Sequence, residues 1–369
     1  MLSVDNITKT YRTARHLTEW QGPPNTRPAV HDVSITVDRG ELFGLLGPSG
    51  SGKTTTLRLI LGLESADYDR VSFNDRDISA VRAEERGFGM VFQNYALFTE
   101  LSAYENIAYG LRERRQPPSE VCRRVEDLFE LMRLPSEIER RRPHQLSAGE
   151  QQRVAIARAL AIEPELLLMD EPFANLDAGL RRHAGEEIRS IVKRKRITSV
   201  FVTHDQNQAF SLCDRVAVIR DGRVVQTGKP AAMYERPSQP WVAQFFGFQL
   251  FDARRVDSGV DGMCDFAIGE EGWKVRVRGP CLGASADQAI IAVRPEDVRI
   301  TLGRPDSLGL QSADVRRVSF GGPTSRVTLG IGATLIEALV LHGSEPVVGD
   351  QCGIRIGPDD LLVYPAGDC

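Results

Sequence analysis

The octapeptide GPSGSGKT at positions 47–54 constrains this chain more than any other stretch. It fits G-x-x-x-x-G-K-[ST] and joins an apolar run of strand length, ELFGLLG (41–47), to a helical run, KTTTLRLILGL (53–63). That strand-to-helix setting is what a phosphate-binding loop requires. Glycines let the backbone curl so that N–H groups converge on phosphate oxygens. The helix that follows adds the positive end of its dipole. Lys53 reaches terminal phosphates, and Thr54 offers a hydroxyl to Mg²⁺. A dinucleotide fingerprint is excluded, because Lys53 and Thr54 stand where its third glycine belongs.

A second acidic element is LLLMDEP (166–172). An apolar strand ending in two acids puts them at the carboxyl edge of a sheet, where ligands of α/β folds bind. Asp170 there suits Mg²⁺, and Glu171 suits a general base acting on water. Alone, a strand ending in Asp-Glu is a weak signal; paired with residues 47–54 it is a strong one.

Up to about residue 235, apolar runs such as TSVFVTH (198–204) alternate with helical patterns, which predicts a mostly parallel sheet covered on both faces. Asp221-Gly222, inside RVAVIRDGRVVQTG (215–228), predicts an antiparallel hairpin at the edge. A more helical stretch begins near residue 94. Within SEVCRRVEDLFELMRL (119–134), Val121, Val125, Leu128 and Met132 recur at helical spacing. Pro237 and Pro240 mark a boundary. Beyond it, WKVRVRG (273–279), AIIAVRPEDVRI, RVTLGIGATLIEALVL and CGIRIGPDDLLVY are short β runs split by Gly and Pro, the texture of a small all-β domain.

A net charge of −4 gives no global pull toward nucleic acid or anionic lipid. No run reaches the roughly 18 apolar residues of a membrane helix, and the start lacks a signal-peptide core. Cys122, Cys213, Cys264, Cys281, Cys352 and Cys369 form no CxxC pair. That argues against zinc and for a cytosolic chain with reduced thiols.

The stretches GPSGSGKT, VFQNYALF, LSAGEQQRVAIARAL, LLLMDEPFANLD and VTHD, in that order, resemble the ATPase subunit of ABC transporters across nearly all of residues 1–235. The resemblance implies an α/β ABC-type nucleotide-binding domain over 1–236, with a helical subdomain at about 94–160. It implies ATP and Mg²⁺ held in a homodimer, each ATP between the P-loop of one subunit and the LSAGE turn of the other. Nucleotide contacts would come from Gly47, Pro48, Ser49, Gly50, Ser51, Gly52, Lys53, Thr54 and Thr55, with Ser147 and Gly149 acting across the interface. Gln93 would touch Mg²⁺ or the attacking water, Asp177 would link the two sites, and His204 would grip the γ-phosphate. Tyr11 would stack on adenine, unless the long segment 12–29 shifts that role. Catalysis would fall to Glu171, His204, Gln93 and Lys53, and the metal to Thr54, Gln93 and Asp170.

Two departures touch the signature turn: Ala148 and Glu150 replace the more frequent Gly and Gln. Ala is tolerable where its φ is negative. Glu150 brings charge toward a polyphosphate unless it turns back to the N–H of Ser147, as a capping box allows. Gln208, Thr99 and Glu100 also depart, outside the catalytic core.

RDGRVVQTGKPAAMYERPSQPWVAQFFG (220–247) and AIIAVRPEDVRI (289–300) are similar to the domain end and the oligonucleotide-fold-like TOBE module of sugar, polyamine, sulfate and ferric-iron importer ATPases. The second domain is thus 237–369, TOBE-like, either regulatory or a dimer brace. The resemblance implies transmembrane permease partners, a solute-binding protein beyond them, and a peripheral place on the cytoplasmic face of the inner membrane. A soluble ABC-type ATPase is the alternative. Repair members of that class carry coiled-coil insertions and ribosomal ones carry two such domains. This chain shows no sustained heptads and one P-loop.

Overall fold

A computed structural model describes residues 1–11, 28–257, 263–270, 272–278, 287–302 and 310–366. The chain divides into two compact units, Met1–Met233 and Tyr234–Cys369.

In the first unit, β1 (Leu2–Lys9) pairs antiparallel with β2 (Val30–Val37). Then come β3 (Leu42–Leu46), α1 (Lys53–Leu61), β4 (Tyr68–Phe73), β5 (Arg76–Asp77) and β6 (Gly89–Val91). Three helices follow: α2 (Ala103–Glu113), α3 (Pro118–Leu131) and α4 (Ala148–Ala161). The chain then returns through β7 (Leu166–Asp170), α5 (Ala178–Lys195), β8 (Thr198–Thr203), α6 (Gln206–Leu212), β9 (Arg215–Arg220) and β10 (Arg223–Gly228). Helix α7 (Pro230–Glu235) crosses the division between units.

Six strands form one sheet in the order β10-β9-β3-β8-β7-β6, parallel except for β10. β3, β7 and β8 are buried along their whole length, as continuous apolar strands covered on both faces must be. The expected hairpin is present: Asp221 (φ 51°) and Gly222 (φ 78°) turn β9 into β10. What the apolar runs do not announce is a second, antiparallel sheet, β2-β1-β4-β5. Val4, Ile7, Val33 and Ile35 of that sheet share one core with Leu57 and Ile60 of α1 and with Phe43, Leu45, Leu168 and Val200 of the parallel sheet. Each fully buried side chain of this size contributes about 1.5–3 kcal/mol.

The helical part packs through small residues. A Cβ on Gly110 of α2 would stand 2.8 Å from a methyl of Ile162, so glycine permits the close approach there. α3 opens on Pro118 and buries Val121, Val125 and Leu128, with Met132 just past its end.

The second unit opens with α8 (Pro240–Phe245) and continues through β11 (Gln249–Asp257), β12 (Met263–Ile268), β13 (Trp273–Arg278), β14 (Gln288–Val293), β15 (Arg299–Leu302), β16 (Gln311–Phe320), β17 (Thr324–Ile331), β18 (Thr334–Leu341), β19 (Gln351–Arg355) and β20 (Leu361–Pro365). They form two five-stranded antiparallel sheets, β13-β12-β11-β14-β20 and β15-β19-β16-β17-β18, around one core that includes Phe266, Trp273, Ile291, Leu329 and Ile336. β13 alternates as its sequence does, with Trp273, Val275 and Val277 buried and Lys274, Arg276 and Arg278 exposed.

Among the described residues no helix is long and apolar enough to cross a membrane. Cys122, Cys213 and Cys352 are free, but Cys264 is disulfide-bonded, which corrects the expectation of reduced thiols at that position. Sequence spacing carries no information on which cysteines meet in space.

Candidate functional site

Parallel pairing sets the site. β3, β8 and β7 run side by side, with Leu46 opposite Thr203 and Val202 opposite Asp170. Their carboxyl ends therefore release residues 47–54, His204 and Glu171 on the same edge of the sheet.

Residues 47–54 fold as glycine demands. Gly52, the N-cap of α1, has φ 102°, and a Cβ there would lie 2.3 Å from the Ala29 carbonyl oxygen. A Cβ on Gly47 would lie 2.2 Å from the Ile219 oxygen. No side chain caps α1 and no acid stands in its first turn, which leaves its N-terminal N–H groups to a ligand. The Ser51 hydroxyl is buried without a partner. Lys53 is buried, and its ammonium donates to the carbonyls of Gly47 (2.9 Å) and Pro48 (2.8 Å). Burial lowers its pKa, and the charges of Glu171 and Asp170 oppose that shift. The loop is a cationic cradle with unspent donors.

The Thr54 hydroxyl donates to Oδ1 of Asp170 at 3.0 Å. Asp170 is buried, and desolvation raises its pKa while the bond from Thr54 lowers it. A hydroxyl and a carboxylate side by side are hard oxygen donors, which fits Mg²⁺ shared with phosphate oxygens. Glu171 sits at φ 43°, in the left-handed region, with its N–H on the Val202 oxygen at 3.0 Å. For a non-glycine residue this costs about 1–2 kcal/mol, a strain typical of working sites. Oε1 of Glu171 lies 3.0 Å from Nδ1 of His204, whose ring is half exposed.

The signature turn is elsewhere. Ser147 is the N-cap of α4 and forms the expected capping box. Oε2 of Glu150 accepts from the Ser147 N–H at 2.7 Å and from its hydroxyl at 2.8 Å, and the Glu150 N–H donates back to Ser147 Oγ at 3.3 Å. These bonds hold the Glu150 carboxyl below its ordinary range. Ala148 is the first residue of α4 and is not among the positive-φ residues. Ser147 and Gly149 line a groove of about 300 Å³ together with Asn175 and Asp177. A Cβ on Gly149 would meet nothing within 4 Å, so this face is open. Asp177 caps α5, accepting from the N–H groups of Gly179 (3.1 Å) and Leu180 (3.0 Å).

Gln93 is exposed, and its carbonyl accepts from Asn175 Nδ2 at 3.3 Å. Tyr11 is exposed at 45%; its hydroxyl donates to Glu64 and lies near Thr55, and Lys9 Nζ stands 5.7 Å from its ring centre. Residues 12–27 of the expected long loop lie outside the described residues.

The structure thus brings Lys53, Thr54, Asp170, Glu171 and His204 to one edge, and Ser147, Gly149 and Asp177 to another groove. Among the described residues no hydrogen bond or ion pair joins the signature turn to residues 47–54. Two contributors escaped the sequence. Asn175 sits inside the quoted DEPFANLD stretch but carries no motif weight of its own. Gly222 backs the phosphate loop: its N–H donates to the Ser51 oxygen at 3.0 Å, and its own oxygen accepts from His31 at 2.7 Å.

Comparison with known proteins places the chain among related sequences and folds. Residues 30–174 match the ABC transporter family and residues 291–363 match the TOBE domain. A sulfate/thiosulfate import ATP-binding protein CysA of Mesorhizobium japonicum is 43% identical over 309 residues, 83% of this chain and 86% of that one. A spermidine/putrescine import ATP-binding protein PotA of Marinobacter nauticus is 39% identical over 356 residues, covering 96% and 91%. The dimeric structure of MJ0796, a bacterial ABC transporter cassette, aligns with TM-score 0.55 and 30% identity over 62% of this chain and 99% of that chain.

Fold and site define a P-loop ATPase with a distinct all-β domain of TOBE type. The chain belongs to the ABC transporter family, as an ATP-binding subunit that hydrolyses ATP.

Proposed function

We propose that this chain is the motor subunit of an importer. Two copies close on ATP against separate permease subunits at the cytoplasmic face of the inner membrane, and a solute-binding protein delivers cargo to those permeases. One observation carries the reading: the chain holds two half-sites on different elements, a phosphate cradle and a signature groove, with no hydrogen bond between them among the described residues. The relatives named for import of sulfate and of polyamines support the coupling to uptake.

Lys53 exchanges the Gly47 and Pro48 carbonyls for phosphate oxygens, and the N–H groups of residues 49–55 complete the cradle. Tyr11 offers its exposed ring to adenine. Thr54, Asp170 and Gln93 would hold Mg²⁺. Mg²⁺ supplies charge neutralisation on the phosphates when bound. Glu171 takes a proton from the attacking water as general base. His204 orients that carboxylate through Nδ1 and turns its other ring edge toward the γ-phosphate. Ser147 and Gly149 act on the nucleotide held by the other copy, and Asp177, beside them in the groove, links the two sites.

Glu171→Gln tests the scheme. It should retain ATP, lose turnover by at least about a hundredfold, and accumulate dimer. Light scattering that shows monomer alone at saturating ATP overturns the sandwich.

A further inference from the structure

Arg158 lies on α4, about three turns beyond Ser147. Its Nη1 donates to the Ala96 carbonyl at 2.7 Å and its Nη2 to the Tyr95 carbonyl at 2.9 Å. Both acceptors are non-glycine residues in the left-handed region, Tyr95 at φ 62° and Ala96 at φ 43°. Two such residues in succession persist only where the surroundings hold them. The guanidinium also stands 5.4 Å from the ring centre of Phe98. Among the described residues no carboxylate hydrogen-bonds or ion-pairs with Arg158, and burial lowers its pKa. Arg158 is half-buried, and its fork is spent on backbone carbonyls. What it grips is the turn that follows Gln93, whose carbonyl is tied to Asn175.

We propose that Arg158 is a positioning residue for turnover: by clamping the strained Tyr95–Ala96 turn, it fixes Gln93 relative to the helix that begins at Ser147. The inference rests on reading Gln93 and Ser147 as parts of the two half-sites. The guanidinium holds that turn as a two-pronged fork on consecutive carbonyls. Lysine cannot replace that fork, because its ammonium is a single point charge.

The test uses the full chain and three variants, Arg158→Lys, Ala96→Gly and the pair combined. Arg158→Lys should lower kcat about tenfold with KM for ATP unchanged. Amide exchange should quicken over residues 93–98 and stay unchanged over 47–54. Ala96→Gly removes a left-handed alanine, so the turn then needs less holding. Alone it should behave as wild type, and in the double variant it should return kcat to within about threefold. Unchanged kcat in Arg158→Lys, exchange that quickens across the whole unit, or failure of Ala96→Gly to restore turnover overturns the proposal. If the wild-type chain turns over no ATP, the motor reading fails, while the exchange contrast between 93–98 and 47–54 still decides the clamp.

Discussion

Nδ1 of His204 and Oε1 of Glu171 stand 3.0 Å apart, although one follows β8 and the other follows β7. The imidazole thus contacts the carboxylate proposed as the general base. His204→Ala should lower kcat by about 10²–10³-fold, the usual loss when one preorganised group is removed. ATP affinity should change little, because the cradle around Lys53 is untouched. Steady-state ATPase assays beside nucleotide binding check both numbers.

The separation of the two half-sites makes a complementation pattern. Lys53→Ala on one copy and Ser147→Ala on the other leave one composite site intact, so the mixed dimer should keep about half of wild-type turnover if the sites are independent. Both substitutions on one copy, paired with wild type, should leave neither. The opposite pattern in differentially tagged, purified dimers would show that Ser147 serves its own chain.

The capping box ties stability to pH. Bonds from Ser147 lower the Glu150 pKa below its unfolded value. The ionised carboxylate is thus the stabilising form. Its contribution is complete above the ordinary glutamate range and is lost as pH falls through the lowered, folded value. Ser147→Ala should cost about 1 kcal/mol at neutral pH, and less than that in acid. Urea unfolding followed by circular dichroism at several pH values measures the difference.

Gly222 supports the phosphate loop from behind. At φ 78°, with the Ala29 oxygen 2.9 Å from the place a Cβ would take, alanine is both strained and crowded. Gly222→Ala should cost about 1–3 kcal/mol and weaken ATP binding about tenfold through the Ser51 carbonyl. Equal binding in a fluorescent-nucleotide titration would show the contact to be slack.

The parallel sheet was legible because strands buried on both faces carry continuous apolar runs, as Leu166–Met169 and Val200–Val202 do. The phosphate loop was legible because its chemistry is local: eight consecutive residues build the cradle. The antiparallel sheet was hidden, since β1, β2 and β4 are separated along the chain and meet through pairing across β1 and the shared core of Val4, Val33 and Val71. Gly222 read as a hairpin turn and nothing more, because its second role is a contact with Ser51 across the fold. Arg158 was likewise silent in LSAGEQQRVAIARAL: the turn it holds reveals itself in dihedral angles and not in letters. Cys264 shows the same limit for pairing in space.

Glu150 gives the unpaired subunit a particular self-sufficiency. With its carboxylate bound to the Ser147 hydroxyl and N–H, the signature turn already holds a negative charge of its own. A lone copy should pass through a cell full of free phosphate without capturing it there. Only a γ-phosphate presented by another copy, already gripped on its far side, competes with that carboxylate. On the proposed reading the turn would act as a coincidence detector, committing when nucleotide and partner arrive together.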